Sequence, residues 1–184
     1  MKYCSSCGSD QLEFRVPEGD NRPRHVCASC NSIHYQNPRI IAGCLPVHEG
    51  KVLLCKRAIE PRYGFWTLPA GFMENGETLE EAAQRESKEE AEAEVILDGL
   101  YTVFNLPHIS QVYMLFRGSL KDGAFGVGEE SLETRLFAEE EIPWNELAFP
   151  TIAKTLKYFF EDRKNDQFPI RIGDIPAMKK RTET

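Results

Sequence analysis

The stretch "GFMENGETLEEAAQRESKEEAEAE", residues 71–94, joins a glycine-containing loop to a helix that is rich in glutamate. Thr78 begins the helix, because Glu81 three residues later completes a capping-box pattern. We predict that this helix runs to about residue 91. The loop and the helix together indicate both the fold and the chemistry of the chain.

Three glutamates of this helix face one another. Residues three and four apart are neighbours on a helix, so Glu86 shares a face with Glu89 and Glu90, and each like-charged pair destabilises an isolated helix by about 0.2–0.5 kcal/mol. A solvated acidic face is the ordinary interpretation. The alternative is a bound cation, because carboxylates and a carbonyl from the turn at Gly71 would make the hard oxygen cage that Mg²⁺ or Mn²⁺ prefers. Mg²⁺ usually also binds substrate phosphates, so the expected ligand is phosphorylated.

Composition places the chain among ordinary globular proteins, with 184 residues, 41% hydrophobic and 28% charged. The net charge of −7 argues against bulk binding to nucleic acid or to an anionic membrane. No apolar run approaches the roughly 20 residues of a membrane span. The start, "MKYCSSCGSD", lacks the apolar stretch of a signal peptide, so we expect a cytoplasmic location.

Four of the six cysteines form two C-x-x-C pairs near the start of the chain: Cys4 with Cys7, and Cys27 with Cys30. In a reducing compartment such pairs are more often a tetrahedral zinc site than disulfides or a redox pair, which are the alternatives. Protein ligands would fill all four positions, so the predicted zinc is structural. The segment between the pairs can form short strands, which predicts a zinc ribbon.

The rest of the chain alternates strands and loops and ends in a helix. "YQNPRI" reads as a join, followed by a hairpin with strands near 40–47 and 52–57 that would bury Cys44 and Cys55. Residues 58–77, rich in Pro and Gly, predict a long ordered loop. "EVILDGLYTVF", "SQVYMLFRGSL" and "TRLFAEEEIPW" are strand candidates, "PTIAKTLKYFFEDRK" is an amphipathic helix, and "AMKKRTET" is expected to fray.

The charged spacing resembles a family signature. Gly71, then Glu77, Arg85–Glu86 and Glu89–Glu90 match the charged positions of the Nudix box, G-x5-E-x7-R-E-U-x-E-E-x-G-U, where U is a bulky aliphatic residue. The resemblance implies an α+β fold, a Nudix α/β/α sandwich around a mixed sheet, preceded by the small β zinc ribbon. We therefore predict a ribbon at 1–36, a Nudix domain at 37–165 and a C-terminal extension at 166–184.

The box also departs from the pattern at three positions. Ser87 stands at an aliphatic position, Glu92 replaces the final glycine, and Ala93 replaces the closing aliphatic residue. Glycine often ends a helix because it adopts positive φ. With Glu92 at this position, the sequence does not predict how the helix ends.

The resemblance implies hydrolysis of a nucleoside diphosphate linked to another moiety. Glu86 and Glu90 resemble the principal metal ligands, Glu89 a further or water-mediated ligand, and the Ala70 carbonyl would join them. The ions would bridge pyrophosphate oxygens and lower the pKa of the attacking water.

The same resemblance supplies the other catalytic candidates. Arg85 and Glu77 resemble the pair that orients the glutamates. A carboxylate serves as general base, either Glu89 or a residue of the loop "GEESLETRLF". That loop offers Glu130 and Glu133, and we favour Glu130. Both could equally be solvated loop residues.

Substrate contacts are predicted in the loop before the box. Tyr63, Phe65 and Trp66 could stack on adenine or on a flavin ring, although such residues more often cover a core. Arg57 and Arg62 could bind phosphate bidentately, although surface arginines are common.

A four-cysteine ribbon before the box is similar to two Nudix groups, the NADH pyrophosphatases and the plant FAD and ADP-ribose pyrophosphatases. The first group carries a marker like S-Q-P-W-P-F-P-x-S, whereas "FNLPHISQVYMLF" here lacks Pro-Trp-Pro. Pro107 lies near the place of a proline found in ADP-ribose hydrolases, although a strand-end proline explains it equally well. FAD or ADP-ribose is therefore the predicted substrate, and NADH or an NAD-type RNA cap is the alternative.

The remaining expectations concern partners. We expect catalytic Mg²⁺ or Mn²⁺, structural zinc, a dinucleotide or nucleotide-sugar substrate and a possible homodimer. A binding-only protein is the rival class, with the ribbon contacting RNA or protein. Residues 1–39 have a net charge of only +1, because basic and acidic residues nearly balance. Strong binding to the phosphates of a nucleic acid needs an excess of basic residues, so nucleic-acid binding is not favoured.

Overall fold

A computed structural model describes residues 1–177 and divides the chain into two compact units, Met1–Asn37 and Pro38–Thr184. The first unit is a small antiparallel sheet of three strands in the order β1-β2-β3. Its strands are β1 (Leu12–Arg15), β2 (Arg24–Cys27) and β3 (Ile33–His34).

The second unit is a mixed sheet with two helices. Its elements are β4 (Arg39–His48), β5 (Lys51–Arg57), β6 (Trp66–Thr67), β7 (Ala70–Phe72), α1 (Leu79–Ala91), β8 (Val95–Leu106), β9 (Gln111–Leu120), β10 (Ser131–Phe137), α2 (Pro150–Asp162) and β11 (Arg171–Asp174). The strand order is β10-β5-β4-β9-β8-β11, with β6 paired to β5 and β7 to β4. The β4–β9 and β8–β11 pairs are parallel and the others antiparallel, which confirms the predicted mixed sheet.

Strand β5 shows why the helices lie on opposite faces. Val52 and Leu54 join the apolar cluster that contains α2, whereas Leu53 and Cys55 join the cluster that contains α1. Successive side chains of a strand point to opposite faces, so a strand covered on both sides reads as a continuous apolar run. The sequence "VLLC" therefore encodes a sandwich, and the predicted fold class is confirmed.

The amphipathic face of α2 supplies much of one core. Ile152, Leu156, Phe159 and Phe160 are all buried at no more than 3% exposure. Burying a side chain of this size contributes about 1.5–3 kcal/mol relative to leaving it in water. No helix that the structure describes is long and apolar enough to cross a membrane.

Three short strands lie where the sequence predicts none. Within the predicted loop, β6 and β7 pair with β5 and β4, and β11 in the predicted extension pairs with β8. Strands of two to four residues carry too little local pattern to be recognised, and long-range pairing alone creates them. Of the tail expected to fray, residues 178–184 lie outside the described part of the chain.

Both ends of α1 have definite caps. Thr78 Oγ1 accepts from the Glu81 amide at 3.2 Å and the Thr78 amide donates to Glu81 Oε2 at 2.7 Å, which confirms the capping box. Glu92 ends the helix in the left-handed conformation with φ 49°. The glutamate therefore adopts the conformation that glycine usually supplies. Ser87 is fully buried and its hydroxyl donates to the Ala83 carbonyl at 2.9 Å.

We expect Glu92→Gly to stabilise the protein, because a side chain in the left-handed region is strained and glycine is not. Glycine also loses more chain entropy on folding, so the net gain should be about 0.5–1 kcal/mol in the free energy of unfolding, measured by urea denaturation. Glu92→Ala is the control that keeps a Cβ and should show no gain. Loss of stability in the glycine variant alone would contradict the strain argument.

Candidate functional site

Two glutamates of α1 are buried at one end of a cleft. Glu86 is 7% exposed and Glu90 is 4% exposed, although each carries a carboxylate. Strand β7 leaves room for the Glu86 carboxylate because it has a glycine, Gly71, beside it. A Cβ at Gly71 would overlap that carboxylate. A larger residue at Gly71 would displace the Glu86 carboxylate from this position.

Arg85 holds the loop and the helix together. Its Nε and Nη2 donate to the two carboxylate oxygens of Glu77 at 3.0 and 2.8 Å, a bidentate pair. Its Nη1 donates to Glu86 Oε1 at 2.7 Å and to Glu89 Oε2 at 3.0 Å. Nη2 also donates to the Phe72 carbonyl at 3.1 Å. One guanidinium therefore contacts three of the predicted site glutamates.

These surroundings move the pKa values of the glutamates in opposite directions. Hydrogen bonds from Arg85 lower the pKa of Glu77 to about 2. Burial raises the pKa of Glu86 against the opposing effect of Arg85. Burial, with the neighbouring charge of Glu86, raises the pKa of Glu90 to about 8, although Arg57 and the Ala70 amide act the other way. Ionised Glu90 is thus disfavoured while no cation compensates it.

The donor set fits a divalent cation. Glu90 Oε2 is buried and has no hydrogen-bond partner among the described residues, and such an atom is costly unless a ligand binds it. Hard carboxylate oxygens suit Mg²⁺ or Mn²⁺. The carboxylate oxygens of the described residues do not form a closed cage, and those of Glu86 and Glu89 accept from Arg85 Nη1.

Glu130 reaches the same cleft through a loop that caps α1. The Gly126 amide donates to the Ala91 carbonyl at 2.7 Å and the Gly128 amide to the Glu90 carbonyl at 3.2 Å. Both carbonyls belong to the last turn of α1, where carbonyl groups have no amide partner within the helix. A Cβ at Gly128 would overlap the Glu89 carbonyl, so only glycine allows this approach.

The cleft has a volume of about 550 Å³. Of the predicted residues it is lined by Ala70, Arg85, Glu86, Glu89, Glu90, Glu130 and Arg57. Glu77 acts from outside through Arg85. Glu133 is exposed on β10, opposite Lys56, and does not line the cleft.

Four predicted substrate contacts lie elsewhere. Trp66 is 5% exposed and packs edge-on against Phe137 in the core, with ring centroids 4.8 Å apart. The Arg62 guanidinium lies 5.4 Å from the centre of the Phe65 ring. The residues that line the cleft do not include Arg62, Tyr63, Phe65 or Trp66. Core burial accounts for Trp66 and cation–π pairing for Arg62 and Phe65, while Tyr63 is exposed. Of the predicted substrate contacts, Arg57 is the one that lines the cleft.

The sequence interpretation missed the wall opposite α1. Phe149 and Thr151, at the start of α2, and Tyr113 of β9 line the cleft. The available signal was "FPT", a helix start with proline in its first turn and no capping side chain at Phe149.

The four N-terminal cysteines form a separate candidate metal centre. Cys4 and Cys30 Sγ atoms are 3.7 Å apart, as are those of Cys7 and Cys27. All four sulfurs lie within 4.8 Å of one another. Thiolates placed tetrahedrally at about 2.3 Å from zinc lie about 3.8 Å apart, so the cluster fits the predicted structural zinc. Cys44 and Cys55 are fully buried on β4 and β5, as predicted.

Comparison with known proteins tests the resemblance that the sequence predicts. A family model described as "NUDIX domain" matches residues 37–161, and one described as "Nudix N-terminal" matches residues 2–36. A crystal structure of a NUDIX hydrolase from Nitrosomonas europaea is 56% identical, covers 96% of this chain and 100% of that chain, and superposes with a TM-score of 0.92. The predicted resemblance is therefore confirmed.

Two curated relatives bear different names. A "NAD-capped RNA hydrolase NudC" from Vibrio atlanticus (strain LGP32) is 37% identical over 100 residues, which is 52% of this chain but only 33% of that protein. An "ADP-ribose pyrophosphatase" from Methanocaldococcus jannaschii is 33% identical over 122 residues, 62% of this chain and 69% of that protein. This chain thus matches about a third of the length of the first relative and about two thirds of the second.

We expect Cys27→Ser to release zinc and to unfold the first unit, because the free energy of metal binding is the folding free energy of such a small module. Zinc content by atomic absorption and the circular dichroism of the purified protein measure both effects. Cys44→Ser is the control and should retain zinc. Wild-type protein that folds normally without zinc would contradict the assignment.

We expect Glu90→Gln to flatten the pH dependence of stability in zinc-loaded protein without added divalent cation. The pKa of Glu90 is raised from 4.5 to about 8, so its contribution is fully present below pH 4.5 and is lost as the pH rises through about 8. Between about pH 5.5 and 8.5 the wild-type free energy of unfolding should fall on the order of 2–4 kcal/mol more than that of the variant. Urea denaturation at each pH measures this, with Glu133→Gln as the exposed control. Parallel curves for wild type and Glu90→Gln would refute it.

Proposed function

The chain belongs to the NUDIX family, and we propose that it is a divalent-cation-dependent pyrophosphohydrolase that cleaves FAD or ADP-ribose into AMP and a second monophosphate. The observation that carries the proposal is the buried pair Glu86 and Glu90 in a cleft, where one Glu90 oxygen has no hydrogen-bond partner within residues 1–177. On a solvated acidic face these two carboxylates would be exposed to water, whereas Glu86 and Glu90 are buried.

The residues that would hold the cation are Glu86, Glu90, Glu89 and the Ala70 carbonyl. When bound, Mg²⁺ or Mn²⁺ would neutralise charge on the diphosphate and lower the pKa of the attacking water. Arg85 and Glu77 act as the positioning pair. Their bidentate contact keeps the guanidinium where it can hold Glu86 and Glu89 at fixed distances.

Glu130 is the proposed general base. It lines the cleft and is close enough to Glu86 and Glu90 for its charge to raise the pKa values of both. Water would lose its proton to this carboxylate while its oxygen bonds to phosphorus and the bridging P–O bond breaks. Glu89, tied to Arg85 at 3.0 Å, is the other candidate base.

The choice of substrate rests on a different set of observations. The relative from Methanocaldococcus jannaschii bears the name ADP-ribose pyrophosphatase, which favours ADP-ribose. The relative from Vibrio atlanticus bears the name NAD-capped RNA hydrolase, so an NADH or NAD-cap activity is the second candidate. The cleft volume of about 550 Å³ lies within the range of small-molecule sites.

Three further expectations stay predictions: the cytoplasmic location, the homodimer, and the choice between Mg²⁺ and Mn²⁺. The four-cysteine cluster has a structural role in this proposal, because all of its ligand positions would belong to the protein.

Product-resolved chromatography of FAD, ADP-ribose and NADH with Mg²⁺, and separately with Mn²⁺, tests the function. We expect AMP together with FMN or ribose phosphate. Glu90→Gln should lose several kcal/mol of transition-state stabilisation while the protein stays folded. Survival of all three compounds with both cations would overturn the proposal.

A matched pair of variants tests the general base. Glu130→Gln should lower kcat by on the order of 10²–10⁴ with little change in KM, whereas Glu133→Gln, exposed on the next strand, should leave kcat unchanged. An active Glu130→Gln variant would transfer the role of base to Glu89.

A further inference from the structure

The start of α2 presents an uncapped, positive helix end to the cleft. Phe149 is the cap residue and offers no side-chain hydrogen bond, and Pro150 occupies the first turn. Phe149, Pro150 and Thr151 all line the cleft. Pro150 has no N–H, and the Ile152 and Ala153 amides donate to the Phe149 carbonyl at 3.1 and 3.3 Å, which leaves the Thr151 amide as the donor of the first turn that can meet a ligand. The dipole of this 13-residue helix adds partial positive charge there.

Thr151 adds a donor that the fold leaves unused. The residue is fully buried, and its Oγ1 has no hydrogen-bond partner in the described part of the chain. Thr155, one turn later, shows the usual outcome, because its hydroxyl donates to the Thr151 carbonyl at 3.0 Å and contacts the Thr102 hydroxyl. A buried hydroxyl without a partner is costly, and a ligand in the cleft would remove that cost.

Arg57 supplies a full positive charge at the same wall. It is 8% exposed, and its guanidinium lies 5.3 Å from the centre of the Phe149 ring. Its Nε donates to the Pro61 carbonyl at 2.9 Å. Within residues 1–177 it forms no ion pair. Arginine is almost never buried without a paired anion. Arg57 acts on Glu90 only from beyond ion-pair distance, so its guanidinium can still bind a phosphate.

From these three features we infer that Arg57, Thr151 and the start of α2 form a phosphate subsite that works without a divalent cation. The inference rests on the proposed function for its ligand, which is the phosphate of a nucleoside diphosphate derivative that lies away from Glu86 and Glu90. The glutamate wall repels phosphate unless a cation intervenes, whereas this wall attracts it directly. The substrate is thus held from both sides, by a cation on one and by protein donors on the other.

A purely structural role is the competing explanation. Arg57 would then serve only to anchor the Pro61 carbonyl and to offset the charge of Glu90, whose pKa it lowers. In that explanation the Thr151 hydroxyl has no part in ligand binding. Substitution of Thr151 therefore distinguishes a structural role from a phosphate subsite.

The test is calorimetric titration of ADP into zinc-loaded protein with no added divalent cation. Thr151→Val should weaken ADP binding about tenfold or more, because it removes a hydrogen bond to a charged group. Thr151→Ser keeps the hydroxyl and should bind within about twofold of wild type. Arg57→Met should weaken binding further. Glu90→Gln should bind ADP about as well as wild type at pH 7, because the raised pKa already keeps Glu90 mostly uncharged without a cation.

Each outcome decides the inference separately from the function. Wild type that binds no ADP under these conditions, or a folded Thr151→Val variant that binds like wild type, would overturn the subsite even if the enzyme is active. If Thr151→Val does not fold, equal ADP affinity of Arg57→Met and wild type would overturn it instead. The expected pattern in a protein that hydrolyses none of the tested dinucleotides would support the subsite and reject the proposed reaction.

Discussion

Glu86 and Glu90 are one turn apart on α1, and both are almost completely buried. Two carboxyl groups in such surroundings can both be ionised only if cations compensate them. Arg85 compensates Glu86 in part through its Nη1 contact, but one oxygen of Glu90 has no hydrogen-bond partner in the part of the chain that the structure describes. The structure around α1 follows from this constraint: Gly71 leaves room for one carboxylate, and Glu77 fixes the arginine that steadies it.

The rest of the cleft complements this acidic wall. The amides of Gly126 and Gly128 bond the loop that carries Glu130 to the last turn of α1, so the general-base candidate is held beside the glutamates of that helix. Across the cleft, the start of α2 carries the Thr151 hydroxyl and lies beside the buried Arg57, although Glu60 also lines the cleft. A molecule with two phosphates and two organic ends suits a cleft with one acidic and one basic wall.

Much of this was predictable from local pattern. The spacing of the box gave the glutamate face, the capping box gave the start of α1, and the C-x-x-C pairs gave the zinc ribbon, because each depends on residues close in sequence. The left-handed Glu92, the short strands β6, β7 and β11, and the contact of Arg57 with Phe149 depend on long-range packing. The same reason explains why Trp66 was expected at the substrate and instead lies in the core. Aromatic residues in a loop carry no local signal that tells which face they cover.

The central claim is that buried Glu86 and Glu90 bind a divalent cation, and Mn²⁺ binding measures it most directly. Free hydrated Mn²⁺ gives a strong electron paramagnetic resonance signal that weakens when the ion is bound. Titration into zinc-loaded wild type should remove signal, and the same titration into Glu90→Gln should leave nearly all of it. Equal loss of signal in both proteins, or none in wild type, would contradict the claim that these carboxylates form the cation site.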